Sequence, residues 1–391
     1  MPRHASTRKQ DLVLGVMSGT SMDGVDYALC DLRAGRPRLL DLWCGRSPRK
    51  LASSLHAAAR GELHSHEFAQ LHHDLGRFYA AEAVRGLKGR RVPLAGLHGQ
   101  TVFHNPRGKG TATFQLGEPA WLAEALQGRV VSNFRAADLA AGGQGAPLAT
   151  LFHRSVFARR GNLVCVQNLG GIGNVTALDW TKAGNDEPAV LAFDTGPANI
   201  ALNLAVQRLT KNRRTFDRDG QWAARGRPHE PLLARLMKHS FLRRPPPKST
   251  GREEFGETFV DRVFSAAKEL QLGEADTLAT LTAFTARSIA LNYKLFLNTA
   301  APTEVVLAGG GAANPTLRAR IARELETVFE QVDVRSTADL GWPLQSVEAA
   351  AFALLAWRTE RGLGGNIAAT TGAAGARILG QISDGTPPRT G

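Results

Sequence analysis

Two glycine-rich turns about 150 residues apart, each set between strand-like runs, constrain this chain more than any other feature. The first is Leu14-Gly-Val-Met-Ser-Gly-Thr-Ser-Met-Asp-Gly24, the second Val166-Gln-Asn-Leu-Gly-Gly-Ile-Gly-Asn174. A strand, a turn of glycines and short hydroxyl or amide side chains, and a returning strand can place several backbone N–H groups around one phosphate. A third such element, Val305-Val-Leu-Ala-Gly-Gly-Gly-Ala-Ala-Asn314, runs through three glycines into a helix predicted to start near Pro315. Three phosphate-approaching turns in one chain predict a nucleotide, ATP, held between two halves.

The stretches around the turns carry strand and helix patterns in a repeating order. Leu12 to Met17 and Val25 to Leu32 read as strands, with Asp23-Gly24 as a type I′ hairpin signal at a widened tip. Leu51 to Ala59 and Phe68 to Leu87 have helical spacing, and Leu94 to Leu97 reads as a short buried strand ending at His98-Gly-Gln-Thr101. Asp138 to Pro147 reads as a glycine-rich loop ahead of a helix. Asn162 to Gln167 and Val175 to Trp180 flank the second turn, and Val190 to Phe193 forms a further strand with Pro197 placed to open a helix. Element order and turn chemistry, rather than residue similarity, suggest a duplication.

At 391 residues the chain exceeds what one core usually supports, so two domains are expected. These are an N-terminal domain over 11–133, joined by a C-terminal helix at about 346–363, and a second over 134–345, with 364–391 a flexible tail. The segment from Lys211 to Gly256 is irregular; its Arg243-Arg-Pro-Pro-Pro-Lys248 run cannot be helical, and so long an excursion reads as a functional lid. Cys30, Cys44 and Cys165 form neither a CxxC pair nor an even set, which points to a reducing, cytoplasmic setting without structural zinc. No run is apolar enough for a membrane span or a secretory signal. The net charge of +13 invites a nucleic-acid reading, but the basic clusters lie far apart and alternate with no aromatics. A solvated basic surface that attracts small anions is the better account.

In chain order, Gly15-Val-Met-Ser-Gly-Thr-Ser-Met-Asp-Gly-Val-Asp26, His98-Gly-Gln-Thr101, Phe134-Arg-Ala-Ala-Asp138, Gly142-Gly-Gln-Gly-Ala-Pro147, Asn168-Leu-Gly-Gly171, Phe193-Asp-Thr-Gly-Pro197, Lys248-Ser-Thr-Gly-Arg-Glu253 and Gly309-Gly-Gly311 follow one another. This series resembles the anhydro-N-acetylmuramic acid kinases of the sugar-kinase, actin and Hsp70 superfamily, from Gly15 to about Trp357. The resemblance implies an α/β fold of two actin-like, RNase H-like (hexokinase-type) domains flanking an ATP cleft, and a homodimer. It implies a reaction needing ATP and Mg²⁺, in which water opens the 1,6-anhydro bridge of the sugar while the released O6 takes the γ-phosphoryl group. The product is N-acetylmuramic acid 6-phosphate, in cell-wall recycling.

Within that frame Asp194 is the expected base. A helix N-terminus would lower its pKa and burial beside Phe193 would raise it; the plainer reading is a capping or turn aspartate. Gly19, Thr20, Ser21, Met22, Asp23, Gly24, Val25 and Asp26 are expected at the ATP phosphates, with Asp23 or Asp26 reaching Mg²⁺. Gly170, Gly171, Gly173 and Asn174 would close on the phosphates from the second domain. Gly309, Gly310 and Gly311 would let the nucleoside lie on backbone, although glycine runs also occur where a strand packs tightly on a helix. His98, Gln100, Thr101, Arg135, Asp138 and Gln144 are the expected sugar contacts, Arg135 either for a lactyl carboxylate or as a salt bridge to Asp138. Glu348, in the first turn of the last helix, is a second catalytic candidate whose position is also favoured by the helix dipole. Asn133, Ala198, Asn203 and Gln345 depart from the family pattern, three of them replacing carboxylates. A related kinase for another amino or anhydro sugar, or a nucleotide-binding sensor of cell-wall fragments, are the alternatives.

Overall fold

A computed structural model describes residues 11–387 except Thr20, Ser21, Asp23, Arg107, Lys109, Asn298 and Thr299. The strands, in chain order, are β1 (Leu12–Ser18), β2 (Gly24–Asp31), β3 (Arg38–Arg46), β4 (Leu94–Asn105), β5 (Ala112–Leu116), β6 (Arg129–Ser132), β7 (Leu163–Leu169), β8 (Ile172–Asp179), β9 (Ala189–Pro197), β10 (Glu304–Ala308), β11 (Asp333–Ser336) and β12 (Gln381–Asp384). They form two sheets in two units. Unit 1 comprises Met1–Val156 with Gln345–Gly391, and unit 2 Phe157–Leu344.

The sheets repeat one topology. In unit 1, β1 pairs antiparallel with β2, β2 antiparallel with β3, β1 parallel with β4, and β4 parallel with β6. In unit 2, β7, β8, β9, β10 and β11 make the same pairings in the same senses. The duplication suggested by turn chemistry is therefore present as strand order, 3-2-1-4-5 twice, with β5 and β12 added to the first sheet.

The central strands are apolar because both their faces are covered. In unit 1, Leu14 and Val16 face a core with Leu71, Leu75 and Tyr79 of the helix Ser65–Leu87. Gly15 points the opposite way, since successive strand residues alternate faces. There the helix Ser346–Glu360, apolar on nearly every side, lies against the sheet: a Cβ on Gly15 would stand 1.8 Å from the Ala349 carbonyl oxygen, and one on neighbouring Gly96 2.1 Å from that of Phe352. In unit 2, Ile289, Ala290 and Tyr293 of the helix Glu274–Phe296 pack with Leu163, Cys165 and Val305, and with Leu317 and Ile321 of the helix Pro315–Glu326. That last helix starts at Pro315 as expected, with Asn314 Oδ1 accepting from Leu317 N at 3.0 Å.

Several expectations are corrected. The unit boundary lies after Val156 rather than at 133, because residues 134–147 are tied to the end of the chain. Phe134 packs on Phe352 with ring centroids 5.2 Å apart, and the wholly buried Asp138 accepts from Asn366 Nδ2 and Thr371 Oγ1. Residues 364–387, expected as a flexible tail, form the helix Ala368–Thr371, bury Leu379 and add β12 antiparallel to β6. Gly24 already belongs to β2 and lacks the positive φ of a type I′ tip; it is confined instead by Gly45 O and Cys44 Sγ, 3.1 and 3.2 Å from where its Cβ would lie. β9 continues past Phe193 to Pro197, and the following helix is Asn199–Leu209, so Pro197 does not open it. The Lys211–Gly256 excursion contains five short helical turns, and its Phe241, Leu242 and Phe255 are fully buried, so its latter half is a packed layer rather than a lid. Among the described residues no helix is long and apolar enough to cross a membrane.

Candidate active site

In unit 2 the site is built on an irregularity between β8 and β9. Gly173 pairs with Gly196 but Asn174 pairs with Asp194, so Thr195 is an extra residue, a β-bulge that re-aims its neighbour. Thr195 is buried and fixed at both ends: its Oγ1 accepts from Gln167 Nε2 at 3.1 Å and its carbonyl from Asn292 Nδ2 at 3.0 Å. Asp194 is held by a neighbouring segment, its N–H donating to Lys248 O at 3.1 Å and its Oδ2 accepting from Thr250 N at 2.8 Å. Burial dominates its electrostatics and raises its pKa from 3.8 to about 6, against the lowering effects of the Thr250 N–H and the Lys248 ammonium, while Glu253 pushes it further up. A carboxylate ionised at neutral pH yet close to its protonation point suits proton abstraction.

Within each of the two glycine turns of unit 2 the glycines divide by why they are glycine. At Gly170 a Cβ would meet nothing nearer than 3.6 Å, at Gly171 nothing nearer than 4.0 Å, and at Gly310 nothing within 4 Å. None of the three has a positive φ. No intramolecular contact explains the missing side chain, so the space in front of them stays open to an approaching ligand. Gly309 and Gly311 answer to packing instead: φ is +76° at the first, and a Cβ on the second would lie 2.8 Å from Leu169 Cβ. Gly173 is also packed: a Cβ there would lie 3.0 Å from Thr195 Oγ1. The Gly170 and Gly171 carbonyls accept from the N–H groups of Ala198, Asn199 and Ile200, so the turn itself satisfies the start of the following helix.

In unit 1 the first turn is clamped from below. Gln100 is fully buried; its Oε1 accepts from Ser18 Oγ at 2.5 Å and its Nε2 donates to Gly19 O at 3.1 Å. Both ends of the amide thus serve the turn rather than a pocket. Met22 stands at φ 58° with its N–H on Gly19 O at 3.3 Å, while Thr20, Ser21 and Asp23 lie outside the described residues. Val25 is buried in the core, and Asp26 sits opposite Met17 on β2.

Arg135 and His98 form a buried polar pair. Arg135 Nη2 lies 2.8 Å from His98 Nε2, and a guanidinium can only donate, so His98 is neutral with its proton on Nδ1. Burial first and Arg135 second hold its pKa well below the usual value. Backbone hydrogen bonds at Gly99 and Ser18 oppose this lowering, and Arg135 Nε is buried without a hydrogen-bond partner among the described residues. Arg135 is drawn down to about 10 by burial, opposed by Glu348. Its expected alternative partner, Asp138, is engaged elsewhere: besides Asn366 and Thr371 it accepts from Gly145 N at 2.8 Å. Asp138 therefore ties down the glycine loop and is not free for a sugar. Gln144 in that loop donates its N–H to Thr371 O at 2.8 Å, and Thr101 lies within β4 opposite Gln115.

Glu348 keeps an exposed surface on the first turn of its helix. The surrounding protein raises its carboxyl above the ordinary range, Arg135 lowers it and Asp26 raises it. Two carboxylates that repel in this way, beside the first glycine turn, fit the charge of a divalent cation. Among the described residues, though, no three His, Cys, Asp or Glu side chains converge on a metal-sized position.

Beside His98 opens a cavity of about 630 Å³, within the range of small-molecule sites. Of the expected sugar contacts only His98 lines it; its wall also carries His72, Phe114, Gln115, Glu118, Asn133 and Gln381. An aromatic face with several amides and a carboxylate is a surface suited to a hydroxylated, acylated ring. Sequence reasoning named Asn133 only as a departure from the family pattern, and did not single out Phe114, Gln115, Glu118 or Gln381, nor Lys248 and Thr250 as partners of Asp194. The available signals were the strand-ending Gln115-Leu-Gly-Glu118, similar in type to His98-Gly-Gln-Thr101, and the Lys248–Glu253 motif itself.

A family model described as anhydro-N-acetylmuramic acid kinase matches residues 11–385. The chain is 43% identical over 379 residues to the anhydro-N-acetylmuramic acid kinase of a Picosynechococcus species, covering 95% of this chain and 98% of that protein. It is 39% identical over 381 residues to the protein of that name from a Synechocystis species, with 94% and 97% covered. To that of Caldanaerobacter subterraneus it is 37% identical over 395 residues, with 96% and 98% covered.

Proposed function

Because this chain belongs to the anhydro-N-acetylmuramic acid kinase family, we propose that it phosphorylates 1,6-anhydro-N-acetylmuramic acid at O6 with ATP while water opens the anhydro bridge. Asp194 takes a proton from water, whose oxygen bonds to C1; the C1–O6 bond breaks, and O6 bonds to the γ-phosphorus as ADP leaves. The products are N-acetylmuramic acid 6-phosphate and ADP, a step in reusing cell-wall fragments. The observation that carries this reading is a carboxylate with a pKa of about 6, aimed by a bulge and held by the Thr250 N–H.

Other features support it. The open faces of Gly170, Gly171 and Gly310 fit the close approach of a nucleotide. Asp26, with Asp23, would hold the Mg²⁺ that accompanies ATP and neutralises developing phosphate charge. The cavity beside His98, with Phe114, Gln115 and Asn133 on its wall, would take the sugar ring and its acyl group. None of the three cysteines is in a disulfide, in keeping with a cytoplasmic enzyme, and we take the functional form to be a homodimer.

The test is incubation with ATP, Mg²⁺ and the anhydro sugar, following ADP release together with product mass. A product heavier than the sugar by one water and one phosphoryl unit is expected. A product lacking the added water would refute coupled ring opening, and absence of sugar-dependent ADP release would refute the substrate.

A further inference from the structure

Lys248 is an unusual residue to find where it is. It is 7% exposed, lies over the rings of Phe193, Phe241 and Phe296 at 5.7, 4.8 and 4.7 Å, and has no carboxylate in contact among the described residues. A methionine would fill the same aromatic box without desolvating a charge. The ammonium is nevertheless fully provided for: its three donors match three acceptors, Asn292 Oδ1 at 2.5 Å and the carbonyls of Phe241 and Leu242 at 3.3 Å. Asn292 in turn donates through Nδ2 to the carbonyl of the bulge residue Thr195. The backbone of Lys248 accepts from Asp194 N, and two residues on Thr250 N donates to Asp194 Oδ2. Asp194, Lys248, Asn292 and Thr195 thus form one closed ring of contacts around the bulge.

We propose that Lys248 is a positioning residue for Asp194: anchored in the aromatic box and on Asn292, it pins residues 248–250 along β9 so that the Thr250 N–H stays on the carboxylate, and its charge favours the ionised base. The proposal rests on reading Asp194 as the base. The charged groups that bear on Asp194 are Lys248, which lowers its pKa, and Glu253, which raises it; Arg244 acts on Lys248. Burial draws Lys248 down to about 8 while Asp194 holds it up, so carboxylate and ammonium are both charged between about pH 6 and 8. Lys248 touches no substrate in this scheme and acts only through its neighbours.

The experiment compares pH profiles of kcat and kcat/KM for the wild type, Lys248→Met, Lys248→Arg and Asp194→Asn, with KM for ATP measured alongside. Loss of the ammonium removes a lowering influence, so the acid limb of Lys248→Met should move to higher pH by roughly one unit, with KM for ATP changed less than about twofold and the limb returned toward its original position in Lys248→Arg. A Lys248→Met limb coincident with the wild type, whatever its plateau, overturns the proposal. If Lys248→Met does not fold, Asn292→Ala carries the test: withdrawing one acceptor from the ammonium and the donor from Thr195 should move the limb in the same direction, and an unmoved limb overturns the proposal. A failure of the base reading shows separately, as a wild type without an acid limb near pH 6 or an Asp194→Asn variant with undiminished rate.

Discussion

Replacing Asp194 by asparagine should separate activity from stability. Its pKa lies at about 6 in the folded chain against an ordinary 3.8, which makes its ionised form cost the fold about 3 kcal/mol. The sign follows from linkage: the folded state binds this proton more tightly than the unfolded one, so the associated stability is fully present below about pH 4 and is lost as pH rises through 6. Asparagine removes the charge and leaves an oxygen for the Thr250 N–H, although a neutral acceptor and an uncompensated Lys248 return roughly 1–2 kcal/mol of that gain. The variant should therefore be about 1–2 kcal/mol more stable than the wild type at pH 8 and no more stable near pH 4. Over the same substitution the sugar-dependent rate should fall by about 10²–10⁴-fold. Urea unfolding at both pH values, with ADP release measured on the same preparations, reads both effects. A variant less stable than the wild type at pH 8, or a stability difference independent of pH, would refute burial as the cause of the raised pKa. A rate loss below about tenfold would refute the base.

The glycines of the third turn should divide by function. Gly310→Ala should unfold at the wild-type temperature but bind ATP at least tenfold more weakly, whereas Gly311→Ala, whose Cβ would lie 2.8 Å from Leu169 Cβ, should lose about 1–3 kcal/mol of stability; calorimetry and nucleotide titration distinguish them. Asp138→Ala strands the donors Gly145 N, Asn366 Nδ2 and Thr371 Oγ1 in a buried place and should cost about 3–5 kcal/mol. Its signature is faster proteolytic cleavage within 364–387, and wild-type resistance there would show that the carboxylate is a sugar ligand after all.

Local chemistry made the repeat legible, because a glycine turn between strands is written in consecutive residues. The same reasoning put Glu348 in the first turn of the last long helix and began a helix at Pro315. It stopped where a residue's partners are distant. Asp138 beside Gly142-Gly-Gln-Gly145 reads as a binding loop, but what decides its role are Asn366 and Thr371, 228 and 233 positions further on. Asp194-Thr-Gly-Pro197 reads as a strand's end, yet β9 continues because Gln167 and Asn292 hold Thr195 in the bulge and Gly196 takes φ +132°. Gln100 reads as a sugar contact because it follows a short strand within His98-Gly-Gln-Thr101; Ser18 and Gly19 occupy its amide. Lys248, in a run of arginines and prolines, looked like surface charge, and only the rings of Phe193 and Phe296 and the carbonyls of Phe241 and Leu242 reveal it as internal.

The groove that Gly15 and Gly96 leave for the helix Ser346–Glu360 bears on how the chain is made. Unit 2 is written without interruption and has its last strand by Ser336, whereas unit 1 begins first and is finished last. A ribosome that has passed Leu344 has supplied everything unit 2 needs, and has left unit 1 with an empty socket against β1 and β4 and an unpaired edge on β6. Domains generally complete themselves as they emerge, N-terminal first; here the N-terminal sheet must wait for the C-terminal helix and for β12. Premature termination anywhere between 345 and 380 yields a sound second unit attached to an open first one, whose bare strands are what holdase chaperones and proteases recognise. The first unit thus cannot close until the residues of this helix and of β12 have been made.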